Sequence, residues 1–248
     1  MRFSKAWIVA AKDIMVLLRH RYGLYSLILF PLIVGIGLPL VLRFIASRAA
    51  GGQVVAGAHL NDVMNAFAFF FAIGASILPT TLASYSLVGE KVEKSLEPLL
   101  ATPITDAELF LGKSIASFLP PVGALWGSSL VFMALTDLVT YSYLGHAYFP
   151  NWAIAVILLL VAPFAAALSI EVNVIISSRA NDPRAAQMEG MLMVIPFAAI
   201  YVATEVGAFS LNIPALLIIA VVLLGIDIAV FPVSTRIFQR EEILTRWT

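Results

Sequence analysis

The sequence predicts an all-α membrane protein: six transmembrane helices, an amphipathic helix ahead of them, and a charged helical excursion between the second and third. Three observations predict it. Of 248 residues, 61% are hydrophobic and only 12% charged, about half the charge of an average soluble domain. The apolar residues gather into six runs of about twenty or more, enough at 1.5 Å per residue to cross about 30 Å of hydrocarbon. Inside hydrocarbon a backbone must satisfy its own hydrogen bonds, so each run is a helix.

The runs are 23–45, 64–88, 108–137, 152–177, 188–207 and 213–234. The second, third and fourth are longer than a bilayer needs, so they tilt, kink or protrude. Pro31, Pro39, Pro79, Pro120, Pro121, Pro163 and Pro196 lie inside runs. Each predicts a kink, because proline lacks an N–H and its ring clashes with the carbonyl four residues back. No internal repeat or low-complexity linker divides the chain, and 1–248 reads as a single transmembrane domain.

Residues 1–22 precede the first run. At 100° per residue, Phe3, Trp7, Ile14, Leu17 and Leu18 fall on one side and Lys5, Lys12 and Arg19 on the other. That is the pattern of a helix lying in the membrane interface, lysines toward phosphate and Trp7 at headgroup depth. No small-residue cleavage site follows a compact apolar core, so a signal peptide is the poorer reading. Orientation follows from the cations. With the N-terminus inside, 13 of the 15 lysines and arginines fall on inner segments, and Arg43 and Arg48 alone remain outside. Positive residues stay inside, so both termini are expected in the cytoplasm.

The stretch "GEKVEKSLEPLLATPITDAELFLGK", residues 89–113, holds eight of the chain's thirty charged side chains. It falls on the cytoplasmic side. Val88, Val92, Leu96, Leu99 and Leu100 recur at helical spacing, and Glu90, Lys91, Glu93, Lys94 and Glu97 fill the other positions. Pro98 bends this helix. Thr105 and Glu108 have the spacing of a capping box that starts the third helix. A plain connection between helices takes about two to eight residues; the 89–107 segment is longer, and an apolar stripe on a protruding helix needs a surface to bury against.

Glu90-Lys91, Glu93-Lys94-Ser95-Leu96-Glu97, Leu99-Leu100 and Thr102-Pro103, followed by Gly112-Lys113, resemble the cytoplasmic loop of ABC type-2 transporter permeases. The chain departs from that family's pattern in two places: either an extra residue separates the first two glutamates or Glu90 is not the family's first one, and Lys94 stands in place of a glycine. "SSRANDPRAAQ", residues 177–187, is similar to the second inner loop of some bacterial and archaeal members. The resemblance implies a permease subunit of an exporter in a prokaryotic cell membrane. It further implies a separate ATPase subunit that binds ATP and Mg, and a second permease copy, identical or paralogous. The loop would then be a coupling helix docked on the ATPase, with Glu90, Lys91, Glu93, Lys94, Glu97, Leu99, Leu100, Thr102 and Pro103 as the contact residues. The resemblance also places the central path of such dimers between the second and fifth spans.

Other chemistry is poorly represented. Net charge is zero and cysteine is absent, which argues against a nucleic-acid partner, a disulfide framework or a thiol nucleophile. Gly112-Lys113-Ser114 mimics the end of a phosphate-binding loop, but Ala107 stands where the first glycine belongs and no strand precedes it. Lys113 is instead expected to snorkel toward the inner headgroups. His20, His59 and His146 lack metal-ligand spacing, so no metal, no cofactor and no catalytic residue is expected in this chain.

Two polar groups inside the spans remain. Ser76, Thr80 and Ser84, at i, i+4 and i+8, with Thr81 beside them, either satisfy carbonyls around Pro79 or line a substrate path. Glu171, Glu189, Glu205 and Asp227 are costly in a bilayer, about 2.5–3.5 kcal/mol each at its centre. The favoured expectation is ion pairs with Arg179, Arg184 and Arg236, and of Glu205 with Arg43 or Arg48. The alternative is a proton- or sodium-coupled secondary transporter in which those acids are the machinery.

Overall fold

The computed structural model describes residues 3–19, 21–49, 57–84, 104–180 and 182–237. Among these residues every regular element is a helix and none is a strand. Six helical stretches are long and apolar enough to cross a membrane: Leu27–Ile45, Asn61–Ser84, Asp106–Leu144, Trp152–Ser177, Arg184–Glu205 and Ile213–Ile237, here spans 1 to 6. Ahead of them lies helix α1, Phe3–Arg19.

Span 3 differs most from expectation. Its helix is continuous from Asp106 to Leu144, 39 residues, or about 58 Å at 1.5 Å per residue. Residues 138–144, expected in a loop, continue it. The start is fixed by the expected capping box: Glu108 N donates to Thr105 Oγ1 at 3.3 Å, and Thr105 N donates to Glu108 Oε2 at 3.2 Å. The end is fixed by Gly145, whose φ of 72° is a left-handed cap.

The prolines explain the irregular turns. Ile33–Gly37 and Ile157–Val161 are π-helical, and Met191–Met193 is a 3-10 turn. Each contains the residue four before a proline: Gly35 before Pro39, Leu159 before Pro163, Leu192 before Pro196. Changing the turn moves the carbonyl that the ring would strike. Pro79, Pro120, Pro121 and Pro232 stand inside helices that continue through them. Span 3 side chains bond one carbonyl within the second π-helical stretch and one in the α-helical turn before the first. Trp126 Nε1 donates to Leu158 O at 3.0 Å, and Ser128 Oγ donates to Pro31 O.

Span 2 is the centre of the bundle. From Phe71 to Ser84 every residue except Ile77 is buried, packed by spans 1, 3, 4 and 5. A row of rings, Phe71 to Phe132 to Phe149 at 5.4 and 5.5 Å between centroids, fills the end away from α1. That end is closed by Asp137, whose Oδ1 accepts from Tyr148 N and Phe149 N at 2.9 and 3.0 Å.

Helix α1 packs on the start of span 3 through small residues, Ala6, Val9 and Ala10, all buried. The approach is close enough that a Cβ on Gly112 would lie 2.7 Å from the Ala6 carbonyl. Lys113 therefore does not snorkel. It is 4% exposed and donates to Asp13 Oδ2 at 3.4 Å, because α1 covers the base of span 3 and brings a carboxylate within reach. Phe3, Trp7 and Leu18 stay exposed, as do Lys12 and Arg19.

Candidate functional site

Span 4 bonds two of the hydroxyls of span 2 and one of its carbonyls. Ser169 Oγ donates to Ser76 O at 2.8 Å and lies 2.7 Å from Thr80 Oγ1. Thr80 Oγ1 also reaches Ser76 O, at 3.3 Å, so either hydroxyl can donate across the pair while the other bonds the carbonyl. One turn further, Ser84 Oγ lies 3.2 Å from Asn173 Oδ1, which also accepts from Ser177 Oγ at 3.0 Å. Ser76 Oγ donates to Ile73 O at 2.7 Å and Ser84 Oγ reaches Thr80 O at 2.8 Å. Ser76 O, which collects the Ser169 hydroxyl, is the carbonyl next to the one Pro79 leaves unbonded. Both cross-span pairs are separated by 89 positions. A constant difference means that the two helices run parallel and in register, as alternation of six spans requires of spans 2 and 4.

Span 5 closes on this ladder. Gln187 Nε2 donates to Thr81 Oγ1 at 3.1 Å. Gly190 sits so close that a Cβ there would lie 2.4 Å from Asn173 Nδ2 and 2.5 Å from Thr80 Cγ2. Asn173 Nδ2 is buried without a hydrogen-bond partner. Of the four predicted hydroxyls, those of Thr80 and Ser84 meet span 4, that of Ser76 bonds Ile73 O of its own helix, and that of Thr81 meets span 5; the first three residues have no exposed surface and Thr81 is 8% exposed. Ser169, Asn173, Ser177, Gln187 and Gly190 were not anticipated. The first three repeat at i, i+4 and i+8, the spacing already noticed in span 2, so that signal lay in the sequence.

Of the cations expected to pair with the four acids, Arg48 and Arg179 have side chains outside the described residues. No ion pair joins any of them to a cation among the described residues; Asp13 there pairs with Lys12 at 3.3 Å and with Lys113 at 3.4 Å. Glu189 and Glu205 are exposed, Glu205 beside Tyr201. Arg184 and Arg236 are exposed too. Glu171 and Asp227 are buried on the packed spans 4 and 6, and lie within electrostatic reach of each other. Glu171 Oε2 and Asp227 Oδ1 have no hydrogen-bond partner among the described residues.

The predicted loop contacts, Glu90, Lys91, Glu93, Lys94, Glu97, Leu99, Leu100, Thr102 and Pro103, lie outside the described residues. No cluster of three or more metal-ligating side chains occurs among the described residues.

A family model described as "ABC-2 family transporter protein" matches residues 7–213. The match begins within α1 and ends at the start of span 6, so it covers the ladder, Glu171 and the charged loop. No match was found among curated proteins.

Proposed function

The chain belongs to the ABC-2 family of transporter proteins, and we propose that it is the permease subunit of an exporter driven by a separate ATPase. The family match over residues 7–213, on a bundle of six apolar helices, carries this reading. In it the chain is a multi-pass protein of a prokaryotic cell membrane with both termini cytoplasmic. It pairs with a second permease copy, identical or paralogous, and ATP and Mg bind in the partner. Helix α1 lies in the inner interface, with Phe3 and Trp7 toward lipid. The 89–107 segment is the coupling helix, its acids and leucines seated on the ATPase.

The path runs between spans 2 and 5. Thr81 is the hydroxyl nearest to it, since its present partner Gln187 belongs to span 5. Ser76, Thr80 and Ser84, bonded to span 4, form the wall behind.

A proton- or sodium-coupled secondary transporter is the second reading, and the unpaired Glu171 and Asp227 are what favours it. Uptake into inside-out proteoliposomes separates the two. The permease reading expects ATP-dependent uptake only when the ATPase subunit is present, indifferent to an imposed proton or sodium gradient. Gradient-driven transport by this chain alone would overturn it.

A further inference from the structure

Span 5 has the smallest buried share of the six spans, and its first helical segment is set apart from the rest. Pro183–Gly190 is 8 residues long. A break precedes it: the backbone is extended at Ala180 and again at Asp182, whose side chain accepts from Arg184 N at 3.2 Å. At its other end it runs into the 3-10 turn Met191–Met193, and the α-helix resumes at Val194. A 3-10 turn inside a helix often marks a hinge. Ala186 and Gly190 are buried, while Arg184, Ala185, Met188 and Glu189 are exposed. The segment meets spans 2 and 4 through those two small residues and the neutral bond from Gln187 Nε2 to Thr81 Oγ1.

The surface beneath it contains an unsatisfied amide. Asn173 has no exposed surface, and its Oδ1 accepts from Ser177 Oγ at 3.0 Å. Its Nδ2 meets no acceptor among the described residues and lies directly against Gly190. A buried N–H without an acceptor loses its hydration and gains nothing for it. That cost falls on the seated arrangement alone, because water can take the N–H once Gly190 withdraws. Ala186 and Gly190 bury little apolar area to set against it. Few buried apolar contacts are the mark of a segment that opens locally. Thr80 with Ser169 and Ser84 with Asn173 join spans 2 and 4 to each other, so the surface beneath stays assembled when the segment leaves.

We propose that Pro183–Gly190 is a plug, hinged at both ends, that seats on spans 2 and 4 and lifts to uncover Thr80, Thr81 and Asn173. Gly190 lets it seat, Gln187 latches it, and the unpaired Asn173 amide limits how firmly it closes. That this plug closes the path between spans 2 and 5 rests on the permease reading; that it seats and lifts does not.

The chain has no cysteine, so Asn173→Cys places a single thiol under Gly190. The full chain in lipid nanodiscs is treated with 2-aminoethyl methanethiosulfonate, and the rate of modification is followed. For a site that opens transiently this rate follows the open population. With Asn173→Cys alone it should be far slower than in the same chain unfolded in dodecyl sulfate. Adding Gly190→Ala, whose Cβ still strikes Thr80 Cγ2, or Gln187→Ala, which removes the bond to Thr81, should each raise it about tenfold. Gly225→Ala, with open space around its Cβ, should leave it unchanged. Thr136→Cys, equally buried on span 3, should stay protected in every background. If one of the two plug variants does not fold, the other decides. Unchanged rates in the folded plug variants would overturn the proposal, as would equal acceleration at Thr136→Cys or a parent thiol as reactive as in the unfolded chain. With the ATPase subunit added, ATP should also speed modification at position 173. Acceleration by Gly190→Ala and Gln187→Ala without any effect of ATP would uphold the plug and count against the permease reading.

Discussion

Gly190→Ala isolates the packing of span 5 on the ladder in a single methyl group. The added Cβ would lie 2.4 Å from Asn173 Nδ2 and 2.5 Å from Thr80 Cγ2, whereas non-bonded carbon atoms settle at about 3.5–4.0 Å. Span 5 must therefore retreat by about 1 Å, or two side chains with no exposed surface must move. Overpacking of this kind costs about 1–3 kcal/mol. Alanine recovers up to about 1 kcal/mol in helix propensity, since Gly190 has an ordinary helical φ of −62°. The net loss should be about 1–2 kcal/mol, or roughly 2–8 °C in the unfolding midpoint of a chain this size. Gly225→Ala is the control, because nothing lies within 4 Å of its added Cβ; there the propensity gain stands alone and the midpoint should hold or rise. Thr80→Ser removes the Cγ2 atom and keeps the hydroxyl, so Thr80→Ser with Gly190→Ala should regain part of the loss. Thermal unfolding in nanodiscs reads all four proteins. Equal midpoints for Gly190→Ala and Gly225→Ala would refute the close approach of span 5.

Three further outcomes are expected. In a chain without cysteine, single cysteines at positions 93 and 182 should react with an impermeant reagent from the cytoplasmic side only; labelling in intact cells would reverse the topology. Glu90→Ala, Glu93→Ala and Glu97→Ala should leave the fold intact and weaken co-purification with the ATPase, each charge-assisted contact contributing about 1.5–3 kcal/mol; undiminished capture and transport would remove the coupling role. Asp13→Ala should loosen α1 from span 3, since Lys113 donates to that carboxylate. Protease should then cut α1 faster while spans 2 to 6 stay protected, and unchanged cleavage would mean that the small-residue contact alone holds the helix.

Much of the architecture was legible because membranes impose simple rules. Run length found all six spans, and Thr105 with Glu108 marked the start of span 3 by capping chemistry alone. Its far end was missed because Thr136, Asp137 and Thr140 lower the hydropathy there; Thr136 and Thr140 are buried, and Asp137 holds the next turn. Lys113 was misplaced because its partner, Asp13, lies 100 positions away, and no local pattern reports that distance. The proximity of Glu171 to Asp227 was not legible for a related reason. Depth along a helix can be counted, but which neighbour a side chain faces depends on rotation about the axis, and that brings Glu171 of span 4 within electrostatic reach of Asp227 of span 6. The hydroxyls of span 2 were visible as a set, and their partners in span 4 carried the same spacing.

A ladder with evenly spaced rungs behaves like a ratchet. The hydroxyl and amide groups of spans 2 and 4 recur every four residues on both helices, at 76, 80 and 84 and at 169, 173 and 177. Sliding one helix past its neighbour by about one turn, about 5.4 Å, would bring Thr80 opposite Asn173 and Ser84 opposite Ser177, so polar groups would still meet polar groups. Stopping halfway would set hydroxyls against alkyl side chains in a region with no water to replace the lost bonds. Relative motion along this seam is thereby restricted to whole-turn steps, and a smaller displacement must carry spans 2 and 4 together as one piece.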